Sequence, residues 1–182
     1  MSSASRISYD DVVAWVRLLA ERLHAEKQYL TELDSAIGDA DHGINMDRGF
    51  TAVMAKLPAL PVGDIGGLLK GVGMTLVSTV GGASGPLYGT FFLQLGGGTA
   101  GKADIELGDF ATAMEAGVAG IQRLGKAEPG DKTMLEALLP ARDALRGGLD
   151  RGDAPADALA AAVAAAEEGM LATIPLVARK AR

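Results

Sequence analysis

Residues 33–45 read Leu33-Asp34-Ser35-Ala36-Ile37-Gly38-Asp39-Ala40-Asp41-His42-Gly43-Ile44-Asn45, with three aspartates in eight positions. Asp39 and Asp41 stand two apart, and residues at that spacing do not share a helix face. With glycines on both sides, the segment reads as a tight loop that aims several carboxylate oxygens at one point. From Gln28 to Asp47 there are five carboxylates and no Lys or Arg. The cluster therefore has no covalent counter-charge and invites a cation. Hard oxygen ligands of this kind suit Mg2+, which takes a few carboxylates and completes its octahedron with water and phosphate oxygens. A solvated acidic turn accounts for the same residues, because Asp and Gly are ordinary turn formers. A calcium EF-hand does not: Gly43 stands at the third ligand position and no Glu closes the pattern in register.

On either side of this loop the hydrophobic spacing is helical. Ser8 followed by Asp11 has the form of a capping box, and Val12, Val13, Val16, Leu19 and Leu23 then recur on one face. This predicts a first helix from about Tyr9 to Leu33. A second is expected from Gly43 to Leu57, carrying Met46, Phe50, Val53 and Met54 and stopped by Pro58 and Pro61. Asp64 can cap a third, Ile65 to Val80, whose glycines at 66, 67, 71 and 73 lower its intrinsic stability and suit close helix packing.

A fourth apolar segment, Leu87 to Leu95, precedes Gly96-Gly97-Gly98, which reads as a terminator. A fifth helix capped by Asp109 runs to about Leu124, a sixth from Lys132 to Leu149, and a seventh from Pro155 to about Ile174. The alanine-rich run from Ala158 to Ala166 keeps a helical stripe through Leu159, Val163, Met170 and Leu171. No strand alternation and no repeat stand out. The expectation is one all-α domain over residues 1–182, with short loops joining antiparallel helices.

Composition narrows the function. A chain of 182 residues with a net charge of −6 and 4% aromatic residues lacks the basic, stacking surface of a nucleic-acid binder. The absence of cysteine removes disulfide and thiol chemistry and suits a cytoplasmic protein. The start has no apolar leader, and the longest apolar run, Ala158 to Ala166, is too short to span a bilayer. No membrane partner is expected.

Three glycine-containing loops, at 38–43, 81–85 and 125–130, separate the helices. The second ends one helix and opens the next, so its backbone N–H groups can cradle an oxyanion at a positive helix terminus. A plain helix-to-helix turn using Gly for positive φ is the simpler account. The loop is neither a Walker A motif nor a Gly-x-Gly-x-x-Gly fingerprint. Carboxylates for Mg2+ together with a phosphate cradle are nevertheless the two halves of a metal-nucleotide site. Among the remaining residues, His24 is expected at an exposed or hydrogen-bonded position. Trp15, Phe50, Phe91, Phe92 and Phe110 are assigned to the core, and Tyr88 to core or site wall.

Three ordered blocks carry a family resemblance. They are Glu32 to Gly43 with Asn45 and Arg48-Gly49-Phe50, then Gly81-Gly82-Ala83-Ser84-Gly85-Pro86-Leu87-Tyr88-Gly89, then Pro129-Gly130-Asp131-Lys132-Thr133-Met134-Leu135-Glu136-Ala137-Leu138. Together they resemble the L subunit of bacterial dihydroxyacetone kinase over nearly the whole chain. The resemblance implies an antiparallel barrel of eight helices, about seven of them covered here, binding ADP or ATP with two Mg2+ ions at one end.

It implies Asp34, Asp39 and Asp41 as metal ligands, and nucleotide contacts from His42, Gly43, Ile44 and Asn45. Phosphate contacts from Ala83 and Ser84 follow, with further nucleotide contacts from Gly125 and Met134. No catalytic nucleophile is expected in this chain, because the family holds its hydroxyketone covalently on a histidine of a separate K subunit. Ala40 replaces the Gly often found between the last two aspartates, a small change if the local φ is negative. The family also continues beyond Arg182 into two further blocks that help close the nucleotide site, and Arg182, a further nucleotide contact by the resemblance, matches the arginine of the first.

The resulting expectation is a kinase subunit that passes a phosphoryl group to dihydroxyacetone or a similar short hydroxyketone. The phosphotransferase-linked version keeps ADP as a bound cofactor, rephosphorylated by a phosphocarrier M subunit. The alternatives are an ATP-dependent two-component hydroxyketone kinase, a non-catalytic nucleotide-binding regulatory module, and the nucleotide domain of a fatty acid kinase.

Overall fold

The computed structural model describes residues 6–180. A short strand β1 (Arg6–Ser8) leads into α1 (Tyr9–Ala25) and α2 (Lys27–Ser35). There follow α3 (His42–Lys56), a 3-10 turn (Leu57–Ala59), α4 (Ile65–Thr79) and α5 (Ser84–Gly98). Strand β2 (Asp104–Glu106), α6 (Leu107–Gly125), α7 (Leu135–Arg151) and α8 (Pro155–Leu171) complete the described chain. The all-α expectation holds. The described residues form eight helices where about seven were expected, because the single helix predicted from Tyr9 to Leu33 is two.

The capping box at Ser8 is present. Ser8 Oγ accepts the Asp11 N–H at 3.2 Å, and the Asp11 carboxylate accepts the Ser8 N–H at 2.9 Å. The break that follows α1 falls at Glu26, with φ −91° and ψ 5°, where the sequence has neither Gly nor Pro. Tertiary bonds span it. The Asp47 carboxylate on α3 takes residues on both sides of the break, His24 Nδ1 at 2.8 Å and Lys27 Nζ at 2.9 Å. These bonds hold the Asp47 carboxyl below its usual range, Lys27 contributing most. They also supply Asp47 with the counter-charge that the 28–47 window lacked. Beyond the break, α2 lies so close to α3 that a Cβ on Gly43 would sit 2.0 Å from the Lys27 carbonyl oxygen.

From α3 to α8, consecutive helices are spatial neighbours, with α1 packed on α3. The main core joins α1, α3, α4 and α5 through Val16, Phe50, Val53, Leu68, Leu69, Val72, Leu76, Phe92 and Leu95. Trp15 meets Phe92 and Phe110 at centroid distances of 5.8 and 6.2 Å, so the aromatics are core residues as expected. Between α4 and α5 the backbones meet at paired glycines. A Cβ on Gly96 would lie 2.7 Å from the Gly66 carbonyl oxygen, and one on Gly73 2.8 Å from that of Gly89. Gly66 and Gly73 of α4 therefore serve the close helix packing that the composition suggested, whereas Gly67 and Gly71 face Asp64 and Leu60.

Several boundaries differ from the sequence reading. Helix α5 starts at Ser84 and takes in the whole Gly96–Gly98 triplet before it stops at Thr99, so the glycines form its last turn, and Gly96 also packs against α4. Asp109 is the third helical residue of α6, and the cap is Glu106, whose N–H donates to Asp109 Oδ2 at 3.3 Å. Helix α7 starts three residues later than expected because Lys132 is left-handed, at φ +59°.

A small antiparallel sheet, unexpected from the sequence, pairs Ile7 with Ile105 and Ser8 with Asp104. Three-residue strands are too short to display an alternation. Among the described residues no helix is long and apolar enough to cross a membrane.

Candidate metal and nucleotide site

The loop from Ala36 to Asp41 joins α2 to α3, and its geometry begins with Asp34 in the last turn of α2. The Asp34 backbone carbonyl accepts the N–H groups of Ile37 and Gly38, which turns the chain. Asp34 Oδ2 then accepts the N–H of Asp41 at 3.0 Å and of His42 at 3.3 Å, tying the end of α2 to the start of α3. This folds the loop so that Asp34, Asp39 and Asp41 each offer a carboxylate oxygen within 4.8 Å of the others. Around one Mg2+, ligand oxygens at about 2.1 Å from the ion stand at most about 4.2 Å apart. The donor set therefore fits such an ion after small side-chain adjustments. An ionised carboxylate has about four acceptor sites, so the N–H bonds to Asp34 are compatible with metal ligation.

The second glycine loop closes on the same place. His42 is the first residue of α3 and Ser84 the first of α5, and Ser84 Oγ lies 3.2 Å from His42 Nδ1. Two helix N-termini thus converge beside three carboxylates. Each terminus presents backbone N–H groups and a partial positive charge, which favours an anion between them. No side chain caps α5. Gly82 precedes it at φ +63°, with no atom within 4 Å of the position a Cβ would take. Left-handed backbone, and not crowding, is what calls for glycine there.

The remaining expected contacts spread outward from this point. Ile44 is exposed. Gly43 is buried, and α2 fills the space its side chain would need, so it can meet a ligand only through its backbone. Asn45 is 6% exposed and faces Gly81. On the other side Leu87, one turn into α5, approaches Gly125, where a Cβ would lie 3.2 Å from Leu87 Cδ2. Leu87 and Met134 pack on one apolar cluster with Val118, Ile121 and Leu135. The site therefore passes from carboxylates through helix N-termini to an apolar wall. Tyr88 is half-buried against the main core, and desolvation pushes its phenol pKa up.

Arg182 lies outside the described residues. The neighbouring Lys180 reaches Asp131 at 3.6 Å and the Lys126 carbonyl, and the Arg179 N–H donates to the Asp131 carbonyl at 3.1 Å. Arg179 and Lys180 thus lie against the 125–131 loop.

Two features went unseen in the sequence. Ser84 and His42, 42 positions apart, form a hydroxyl-imidazole pair of the kind used by nucleophiles, and no local spacing signals it. Arg48 carries no assigned role in the motif, yet it donates to Asn45 Oδ1 at 2.7 Å and to the Thr79 carbonyl at 3.0 Å. Its position three residues after Asn45, one helical turn away, was the available signal.

A family model described as a DAK2 domain matches residues 36–182. The chain is 44% identical over 176 residues to the "PEP-dependent dihydroxyacetone kinase, ADP-binding subunit DhaL" of Escherichia coli strain K12, covering 97% of this chain and 84% of that protein. The chain belongs to the DAK2 family. Within it, this chain is of the dihydroxyacetone kinase L type. The corresponding subunit of dihydroxyacetone kinase 2 from Listeria innocua is 44% identical over 162 residues, 88% of this chain and 74% of that one.

The helical fold is shared with the C. freundii dihydroxyacetone kinase crystallised with AMP-PNP and Mg2+, at a TM-score of 0.64 and 26% identity over 92% of this chain. The chain spans 36% of that longer polypeptide.

Proposed function

We propose that this chain is the ADP-binding subunit of a PEP-dependent dihydroxyacetone kinase, acting with a separate K subunit that presents the hydroxyketone. The observation that carries this reading is the contact between His42 and Ser84. It sets two anion-favouring helix N-termini beside a divalent-metal donor set. The names of the relatives at 41 to 44% identity support the nucleotide and the PEP or phosphotransferase dependence.

In this reading Asp34, Asp39 and Asp41 would hold Mg2+, which when bound neutralises phosphate oxygens and so supplies most of the stabilisation that phosphoryl transfer requires. The N–H groups at the starts of α3 and α5 orient the phosphates. Leu87, Gly125 and Met134 offer the apolar wall to the base. The pairing of His42 with Ser84 keeps the two loops in register, a positioning task and not covalent catalysis.

The test combines the purified chain, Mg2+ and dihydroxyacetone, first with ATP and then with ADP plus a PEP-driven phosphocarrier M subunit, each with and without the K subunit. Turnover is expected only with both the K subunit and the relay. ATP-driven turnover without a partner would overturn the two-subunit reading. ATP-driven turnover with the K subunit would instead assign the chain to the ATP-dependent type. In the full system Ser84→Ala should retain activity, whereas complete loss with nucleotide binding intact would make Ser84 a nucleophile.

A further inference from the structure

Arg48 lies outside every motif position assigned to the nucleotide, yet it is hydrogen-bonded to one that is assigned. Its guanidinium donates through Nη2 to Asn45 Oδ1 and through Nε to the Thr79 carbonyl, at 2.7 and 3.0 Å. Thr79 is the last residue of α4. Arg48 therefore ties the first turn of α3 to the helix end that leads into the Gly81–Ser84 loop. A guanidinium has donors only. Of the two ends of the Asn45 amide, only the oxygen can face it favourably, because an NH2 turned towards Arg48 would set donor against donor. The amide nitrogen is thereby sent the other way. The whole amide lies against the glycine loop, with Nδ2 at 3.0 Å and Oδ1 at 3.2 Å from the position of a Gly81 Cβ, so the bond from Arg48 is what distinguishes its two ends.

Among the described residues no buried side-chain N or O is left without a partner. Asn45 is 6% exposed, so its amide is held in a nearly buried position beside the glycine loop.

We propose that Arg48 is a positioning residue that fixes the Asn45 amide with its N–H donors towards the Gly81–Ser84 loop, where they bind a phosphate oxygen of the nucleotide. The inference rests on the nucleotide reading above. A reversed amide would present a carbonyl oxygen to an anion, so orientation decides whether Asn45 attracts or repels the phosphate. Arg48 makes that choice without touching the ligand.

The test measures Mg-ADP affinity by calorimetry in Arg48→Ala, Arg48→Lys, Asn45→Ala and the double variant Asn45→Ala/Arg48→Ala, with the melting temperature of each apo protein. Loss of one hydrogen bond to a charged phosphate corresponds to about a tenfold weakening. Arg48→Ala and Asn45→Ala should each show it, and Arg48→Lys, which keeps a donor opposite Oδ1, should recover most of it. In the Asn45→Ala background, removing Arg48 should weaken binding less than about twofold, because a residue acting through another has nothing left to act on.

Additive losses, or native affinity in Arg48→Ala, would overturn the inference. A role confined to holding α3 on α4 would lower the melting temperature equally in both backgrounds and leave affinity unchanged. Asn45→Asp covers the case of poor folding. Arg48 then faces a carboxylate and the fold is kept, but the donor is gone, so native affinity in that variant would refute the assignment. Failure of the unmodified chain to bind Mg-ADP would instead refute the nucleotide reading, and the inference with it.

Discussion

Ala40 stands between two of the three site aspartates at φ +59°, in the left-handed region. The resemblance allowed Ala for the usual Gly on the condition of a negative φ, and that condition is not met. A Cβ in this conformation costs about 1–2 kcal/mol against the following carbonyl. Gly returns part of that gain through the entropy of the unfolded chain, about 0.4–1 kcal/mol. Ala40→Gly should therefore stabilise the apo protein by a net ~0.5–1 kcal/mol, read from the urea midpoint. Destabilisation would mean that residue 40 is not left-handed in solution. The strain places the Asp39 and Asp41 backbones on either side of a reversed residue. That reversal lets carboxylates two apart, which no helix could aim together, converge with Asp34.

Adjacent glycines of α5 offer a paired comparison. A Cβ on Gly96 would lie 2.7 Å from the Gly66 carbonyl oxygen, whereas one on Gly97 would meet nothing within 4 Å. Ala is favoured over Gly in a helix by up to ~1 kcal/mol, and Gly97 near the end of α5 should show part of that gain when changed to Ala. Gly96→Ala meets α4 backbone, which cannot rotate away as a side chain can. It should destabilise the fold by about 1–3 kcal/mol despite the same propensity gain. Thermal melting of the two variants checks the pair, and equal effects would dissolve the close α4–α5 contact. Because α5 begins at Ser84, a shift of α5 on α4 would also move the hydroxyl that meets His42. Close helix packing and site geometry are thus linked along one element.

For the molecule as a whole, ligand binding and folding should be coupled. The aspartates bridge α2 and α3 while Ser84 belongs to α5, so a Mg-nucleotide held among them binds only the folded arrangement. At about 100 times its dissociation constant, Mg-ADP should then stabilise the fold by ~2.7 kcal/mol. For a domain of this length that is a rise in melting temperature of about 5–10 °C. Asp39→Asn should remove most of the rise while leaving the apo melting temperature unchanged or higher, because repulsion within the cluster is relieved. Chelating the Mg2+ should do the same to the native chain. An undiminished Mg-ADP shift in Asp39→Asn would exclude that residue from the site.

The sequence by itself determined the helical class, the order of the elements and the acidic loop, since these follow from local rules. Apolar residues recur at helical spacing, Ser8 and Asp64 cap the helices that follow them, and Pro155 opens the last. The three motif blocks also singled out segments that the structure brings together, the three aspartates beside His42 and Ser84. What only the tertiary structure decided arises between segments distant in the chain. The break at Glu26 is spanned by bonds to Asp47, 21 positions later, and Gly89 and Gly96 of α5 are read as packing only once α4 lies against them. The sheet of Ile7 with Ile105 and the pair of His42 with Ser84 depend on chain reversals that no local pattern encodes. Arg48 is the sharpest case: its side chain reads as an ordinary exposed helix charge until Asn45 and the end of α4 stand before it. A hydrogen bond between helices depends on where whole helices are placed, and that placement is settled by burial summed over the entire core.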